Sequence, residues 1–133
     1  MNVLVVAPHP DDDVLGCGGV MARHAADGDC VYVVVVTRGA PDMRPPELVE
    51  QNRGQLREAH GVLGVTEARF LDFPAAKLDT VPGYELAGGI GRCIREVQPS
   101  VVYLPHVGDI HADHKAVYLA TLVAARPING CSV

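Results

Sequence analysis

A layered α/β fold built on a mainly parallel sheet is predicted by three observations. Three runs, Val3–Ala7, Val31–Val36 and Val101–Leu104, are continuously apolar and rich in β-branched residues. A strand exposed on one face alternates apolar with polar residues, so unbroken runs mark strands covered on both faces. Stretches with helical periodicity separate them, and alternation of strand with helix is the pattern of a sheet flanked by helices.

In order along the chain, the first strand, Val3–Ala7, leads to a helix over about Cys17–Asp27 that Gly28 stops. The second strand, Val31–Val36, runs into Arg38–Pro46, where glycine and prolines among charges read as a surface loop. A helix over about Pro46–Leu63 closes on Gly64, and Ala68–Leu71 fits a shorter, weaker strand. A third helix spans about Gly83–Val97, with Pro99 beyond it, followed by the strand Val101–Leu104 and a last helix over about Ala112–Ala125. The order β-α-β-α-β-α-β-α predicts a Rossmann-like three-layer α/β/α sandwich.

The 133 residues suit one domain, 1–133, and the composition, 48% hydrophobic and 20% charged, is that of an ordinary soluble globular protein. A formal charge of −5 without a Lys/Arg stripe argues against nucleic acid or an anionic membrane as partner and favours a small molecule. The chain enters a strand by residue 3 and has no apolar run of membrane-spanning length, so the expectation is a cytoplasmic protein. Cys17, Cys30, Cys93 and Cys131 lack CxxC spacing, which makes buried free thiols the expectation rather than disulfides or a cysteine zinc site.

In open α/β sheets, ligands bind beyond the carboxyl ends of the strands, and two charged segments fall there. One is His9-Pro10-Asp11-Asp12-Asp13 after the first strand; the other, after Leu104, contains His106, Asp109, His111, Asp113 and His114. Pro10 stiffens the first turn, and carboxylates crowded at the end of a buried strand repel one another unless a cation or hydrogen bonds compensate. A catalytic zinc takes three ligands from His, Asp or Glu, and His9, Asp12 and His114 would supply such a set, for zinc or for another divalent ion such as Fe2+. Taken singly, the aspartates would serve equally as acids at a helix start, and the histidines as polar residues of a first turn.

Two motifs carry a family likeness. Ala7-Pro8-His9-Pro10-Asp11-Asp12-Asp13 and Asp109-Ile110-His111-Ala112-Asp113-His114 resemble the two signatures of the LmbE/PIG-L superfamily of metal-dependent deacetylases, His-Pro-Asp-Asp-Glu and Asp-x-His-x-Asp-His. Gly18-Gly19, Thr37-Arg38-Gly39, Leu63-Gly64-Val65 and Leu71-Asp72-Phe73-Pro74 extend the likeness over nearly the whole chain. The resemblance implies a zinc-dependent N-deacetylase that removes an acyl group, most simply acetyl, from an N-acylated amino sugar or related amine by attack of zinc-bound water. It implies His9, Asp12 and His114 as metal ligands, Asp11 as general base, and His111 as acid or oxyanion-stabilising group, for which a protonated ring would serve. Asp113 would orient a histidine, and Arg38 would contact substrate. Either Asp11 or His111 would protonate the leaving amine, and a homo-oligomer stays open.

The sequence departs from the family at Asp13, where glutamate is usual and which is expected to support the loop. It departs also at Pro8, at Gln55, at Ala75-Ala76, and at the end, where the family's domain continues past Val133. The expectation is a fragment that keeps the metal ligands and lacks the C-terminal part, or else a shortened relative that borrows a partner's surface. Two other classes fit less well. A non-catalytic, receiver-like acidic pocket would need an aspartate after the second strand, where Thr37-Arg38-Gly39 stands. Nucleotide binding through Gly16-Cys17-Gly18-Gly19 would set a pyrophosphate against carboxylates.

Overall fold

Val3 to Ala7 are each 3% exposed or less, so the first strand lies in the middle of the protein rather than at an edge. The computed structural model describes residues 1–40 and 42–126. The elements are β1 (Asn2–Ala7), α1 (Asp12–Ala26), β2 (Cys30–Arg38), α2 (Pro46–Leu63), β3 (Glu67–Pro74), a 3-10 turn at Leu78–Thr80, α3 (Gly83–Val97), β4 (Val101–Tyr103) and α4 (Ala112–Ala124). All strands pair in parallel in the order β3-β2-β1-β4, with Val5 opposite both Val33 and Tyr103.

The chain steps outward from β1 through β2 to β3, then returns to lay β4 on the other side of β1. Because crossovers between parallel strands are right-handed, reversing the direction of travel moves the connecting helices to the opposite face. Met21 of α1 and Leu56 of α2 accordingly pack on Val5, Val31, Val33 and Val35. Leu86, Ile90 and Ile94 of α3 and Val117 and Ala120 of α4 pack on Leu4, Val6, Val34 and Val36 of the other face. The three-layer sandwich expected from the sequence is the observed fold, and the reversal leaves a crevice at the carboxyl ends of β1 and β4.

Several boundaries differ from expectation. Helix α1 starts at Asp12, not Cys17, because the chain turns at His9–Asp11 and the first helical turn takes up Asp12 and Asp13, whose charge suits the positive end of a helix. Gly16, Gly18 and Gly19 are weak helix formers and hide this turn in the sequence. Strand β3 extends to both sides of Ala68–Leu71, and β4 stops one residue short of Leu104. Of the thiols expected to be buried, Cys93 is, whereas Cys17 is half-buried and Cys30, the first residue of β2, is exposed; Cys131 lies outside the described residues. Helix α2 ends at Gly64 with φ 77°, where a Cβ would stand 2.7 Å from Ala25 Cβ of α1, so only glycine fits this approach. No helix among the described residues is long and apolar enough to cross a membrane.

Candidate metal centre

The turn after β1 is closed by hydrogen bonds from the Asp11 and Asp12 N–H groups to the His9 carbonyl, at 2.9 and 3.3 Å. It points the His9 ring toward α4. The Asp12 carboxylate folds back to accept the His9 N–H at 2.8 Å. From the other segment, the start of α4 brings His114 to the same place. His9 Nδ1 and His114 Nε2 each lie 3.2 Å from Asp12 Oδ2, and the two nitrogens lie 3.3 Å from each other.

The outer nitrogens explain why these atoms face inward. His9 Nε2 donates to Asp113 Oδ2 at 2.8 Å, and His114 Nδ1 donates to Asp109 Oδ2 at 2.8 Å. With those protons committed outward, His9 Nδ1, His114 Nε2 and Asp12 Oδ2 present lone pairs to one point. Ligands about 2.1 Å from a tetrahedral divalent ion stand about 3.4 Å apart, so the spacing fits such an ion, and a nitrogen-oxygen donor set suits zinc or iron. The carboxylates around the rings favour positive charge at this point, so an ion held there would compete with a proton on His9. Burial works against charge on His9, yet the hydrogen bonds to Asp12 and Asp113 outweigh it and hold the imidazole above its ordinary value. Burial likewise opposes charge on Asp12, but the His9 hydrogen bonds and His114 hold its carboxyl below the usual carboxylate range.

Asp113 is 1% exposed and gathers three donors: His9 Nε2, the Ala76 N–H at 2.6 Å and the Leu78 N–H at 3.0 Å. Ala76 holds φ 60° in doing so. The carboxylate thereby ties the loop after β3 to the ring of His9, the kind of outer partner that fixes a ligand's tautomer. Asp109, for which the sequence reading specified no role, does the same for His114; it also accepts the His111 N–H at 2.9 Å. Its spacing, five residues before His114 and outside the helix, is the signal that marks it.

His111 is the N-cap of α4, and its Nδ1 accepts the Asp113 N–H at 3.0 Å, leaving Nε2 as the ring's donor. Its ring centroid lies 4.8 Å from that of His9 and 5.0 Å from that of His114. Asp11 is exposed, its carboxylate makes no hydrogen bond among the described residues, and it lines a cavity with His9, Arg38, Arg44, Asn52 and Arg53. The structure thus brings His9, Asp12, His114, His111 and Asp113 together, with Asp11 and Arg38 on the wall of the adjoining cavity. Asp13, expected to support the loop, is instead buried under α2, where its carboxylate meets His60 Nε2 at 2.5 Å. The shorter aspartate side chain, set on the inner face of the first turn of α1, reaches the neighbouring helix rather than the loop backbone.

Comparison with known proteins follows the same residues. The family model described as "PIG-L: GlcNAc-PI de-N-acetylase" matches residues 4–125. A 1D-myo-inositol 2-acetamido-2-deoxy-alpha-D-glucopyranoside deacetylase of Kineococcus radiotolerans is 35% identical over 92% of this chain and 44% of its own length. The uncharacterized deacetylase YaiS of Escherichia coli is 31% identical over 96% of this chain and 69% of its own. The N,N'-diacetylchitobiose deacetylase of Pyrococcus horikoshii superposes with a TM-score of 0.83 at 25% identity, over 95% of this chain and 49% of that one. The chain spans about half the length of most curated relatives it matches. A match from β1 to the end of α4, covering both charged segments and the sheet that joins them, shows that the chain belongs to the PIG-L family.

Proposed function

We propose that this chain carries the metal site and catalytic residues of a zinc-dependent N-deacetylase, with Fe2+ as the alternative ion, acting on an N-acetylated amino sugar or related amine. The observation that carries the reading is the convergence of three lone-pair atoms of His9, Asp12 and His114 beside an unpartnered carboxylate, Asp11, at a cavity. Deacetylase relatives that match along nearly the whole chain support it. We read residues 1–133 as belonging to one domain.

An ion held there would acidify water and polarise the amide carbonyl. Asp11, with no competing partner, takes a proton from the attacking water as its oxygen bonds to the acyl carbon. His111 donates Nε2–H to the oxygen that gains charge in the tetrahedral adduct. Because His111 Nδ1 is occupied in accepting the Asp113 N–H, full transfer of the Nε2 proton would leave an imidazolate. The departing nitrogen therefore takes the proton held by Asp11 as the C–N bond breaks, giving acetic acid and a free amine, and the acid's proton then passes to the amine to leave acetate and an ammonium group. On this reading His111 donates through Nε2–H with its Nδ1 accepting the Asp113 N–H.

The test is release of free amine from N-acetylglucosamine conjugates, with metal content measured on the same samples. The wild type is expected to hold one divalent ion and to release amine, and His114→Ala to lose both. A wild type without stoichiometric metal, or a His114→Ala variant with unchanged metal and hydrolysis, overturns the reading.

A further inference from the structure

The cavity beside His9 and Asp11, about 240 Å³, carries three guanidinium groups on its wall, from Arg38, Arg44 and Arg53. They differ in what already occupies them. Arg53 is buried, paired with Asp72 and stacked 4.4 Å from the Phe70 ring, so its charge is spent within the protein. Arg38 Nη2 stands 3.7 Å from Glu50 Oε1, with side chains 41% and 57% exposed, a distance and exposure at which a pair contributes little. Arg44 has no anionic partner among the described residues.

The backbones that carry Arg38 and Arg44 are anchored on this wall. The Met43 and Arg44 N–H groups both bond the Ala40 carbonyl at 2.9 Å, closing the loop into a turn. The Arg44 stem lies along Gly39, where a Cβ would stand 3.5 Å from Arg44 Cβ and Cδ and 3.1 Å from Val49 Cγ2. The Arg38 carbonyl accepts the Ala75 N–H at 3.0 Å, anchoring its backbone to the segment after β3. Neither the acetamide nor the hydroxyls of a neutral sugar require a cation. An Arg44 guanidinium without an anionic partner among the described residues and an Arg38 guanidinium only loosely paired with Glu50, on one cavity wall in a chain of formal charge −5, match a ligand anion, and Asn52 adds an amide to the same wall.

We propose that Arg38 and Arg44 form a subsite for an anionic group, a phosphate ester or a carboxylate, borne by the substrate away from its acyl group. The proposal rests on the deacetylase reading for the position of the acyl group, but it is tested by binding as well as by turnover. The metal-loaded protein is titrated calorimetrically at low salt with N-acetylglucosamine and with N-acetylglucosamine 1-phosphate. The phosphate ester is expected to bind about ten-fold more tightly, as for one charge-assisted contact, with the ratio falling toward one in Arg44→Gln and in Arg38→Gln and partly kept in the lysine variants. Thermal melts confirm that each variant is folded. Equal affinity for the two sugars, no binding of the phosphate ester, or a preference that survives both glutamine variants overturns the subsite. A preference for the ester without release of amine from either sugar leaves the subsite standing and overturns the deacetylase reading instead.

Discussion

His9 Nδ1 and His114 Nε2 stand 3.3 Å apart at the crevice between β1 and β4, although 105 positions separate the residues in the chain. Each ring is turned inward by a carboxylate on its far side, Asp113 behind His9 and Asp109 behind His114. For an ion held there, the segment 109–114 would therefore supply one ligand and the outer partners of two. Asp109→Asn is expected to weaken zinc affinity about 10- to 100-fold, the usual consequence of losing an outer partner, whereas His114→Ala abolishes stoichiometric binding. Competition against a chelating dye separates the two outcomes.

Asp11 and His111 are expected to part company when each is replaced. Asp11→Asn, which would take away the proposed base, should lower kcat about 10²- to 10⁴-fold with metal content retained. His111→Gln keeps an N–H donor and should retain more activity than His111→Ala, because the role assigned to the ring is donation rather than proton transfer. Equal losses in the two His111 variants, measured as kcat, would contradict that role.

The Asp13–His60 pair lies between α1 and α2, with both side chains 5% exposed or less, and Asp13 Oδ1 and His60 Nδ1 have no hydrogen-bond partner among the described residues. Removing one member leaves a buried polar group without its counterpart, which costs about 3–5 kcal/mol for a buried pair. His60→Ala should lose about that much stability in urea denaturation. The double variant Asp13→Leu/His60→Leu should lose much less, since no polar group then remains unpaired.

Cysteine reactivity should follow burial and pH. Burial pushes the Cys17 thiol above its ordinary value, with the charge of Asp13 adding to the effect, and burial does the same for Cys93 despite Arg69 nearby. A raised thiol pKa means less thiolate at neutral pH and alkylation that begins only as pH climbs past the ordinary cysteine range. Mapping iodoacetamide adducts by mass spectrometry between about pH 7 and 10 should find exposed Cys30 modified first and Cys17 and Cys93 later. Faster labelling of Cys93 than of Cys30 at neutral pH would contradict the order.

The sheet was legible because burial on both faces leaves an unbroken apolar run, and Val3–Ala7, Val31–Val36 and Val101–Leu104 all carry one. The start of α1 was not, because three glycines mask its first turns and the two acids that open it read equally well as a loop. His9, Asp12 and His114 stood out through the two motifs and their places at strand ends. His60 did not, since a histidine inside an amphipathic helix gives no sign of which carboxylate it will meet; only the packing of α2 on α1 pairs it with Asp13. The 3-10 turn at Leu78–Thr80 was equally hidden, because what shapes it is the reach of Asp113 to the Ala76 and Leu78 N–H groups from far along the chain.

A divalent ion held between His9 and His114 would also be a cross-link. It would close a loop spanning 105 positions and containing α1, β2, α2, β3, α3 and β4. A covalent bridge closing a loop of about 100 residues removes enough disorder from the unfolded chain to favour folding by about 4–5 kcal/mol on the chain-entropy model. Metal removal would then loosen the protein far from the crevice, in helices that touch no ligand, and the same ion would serve as reagent and as staple.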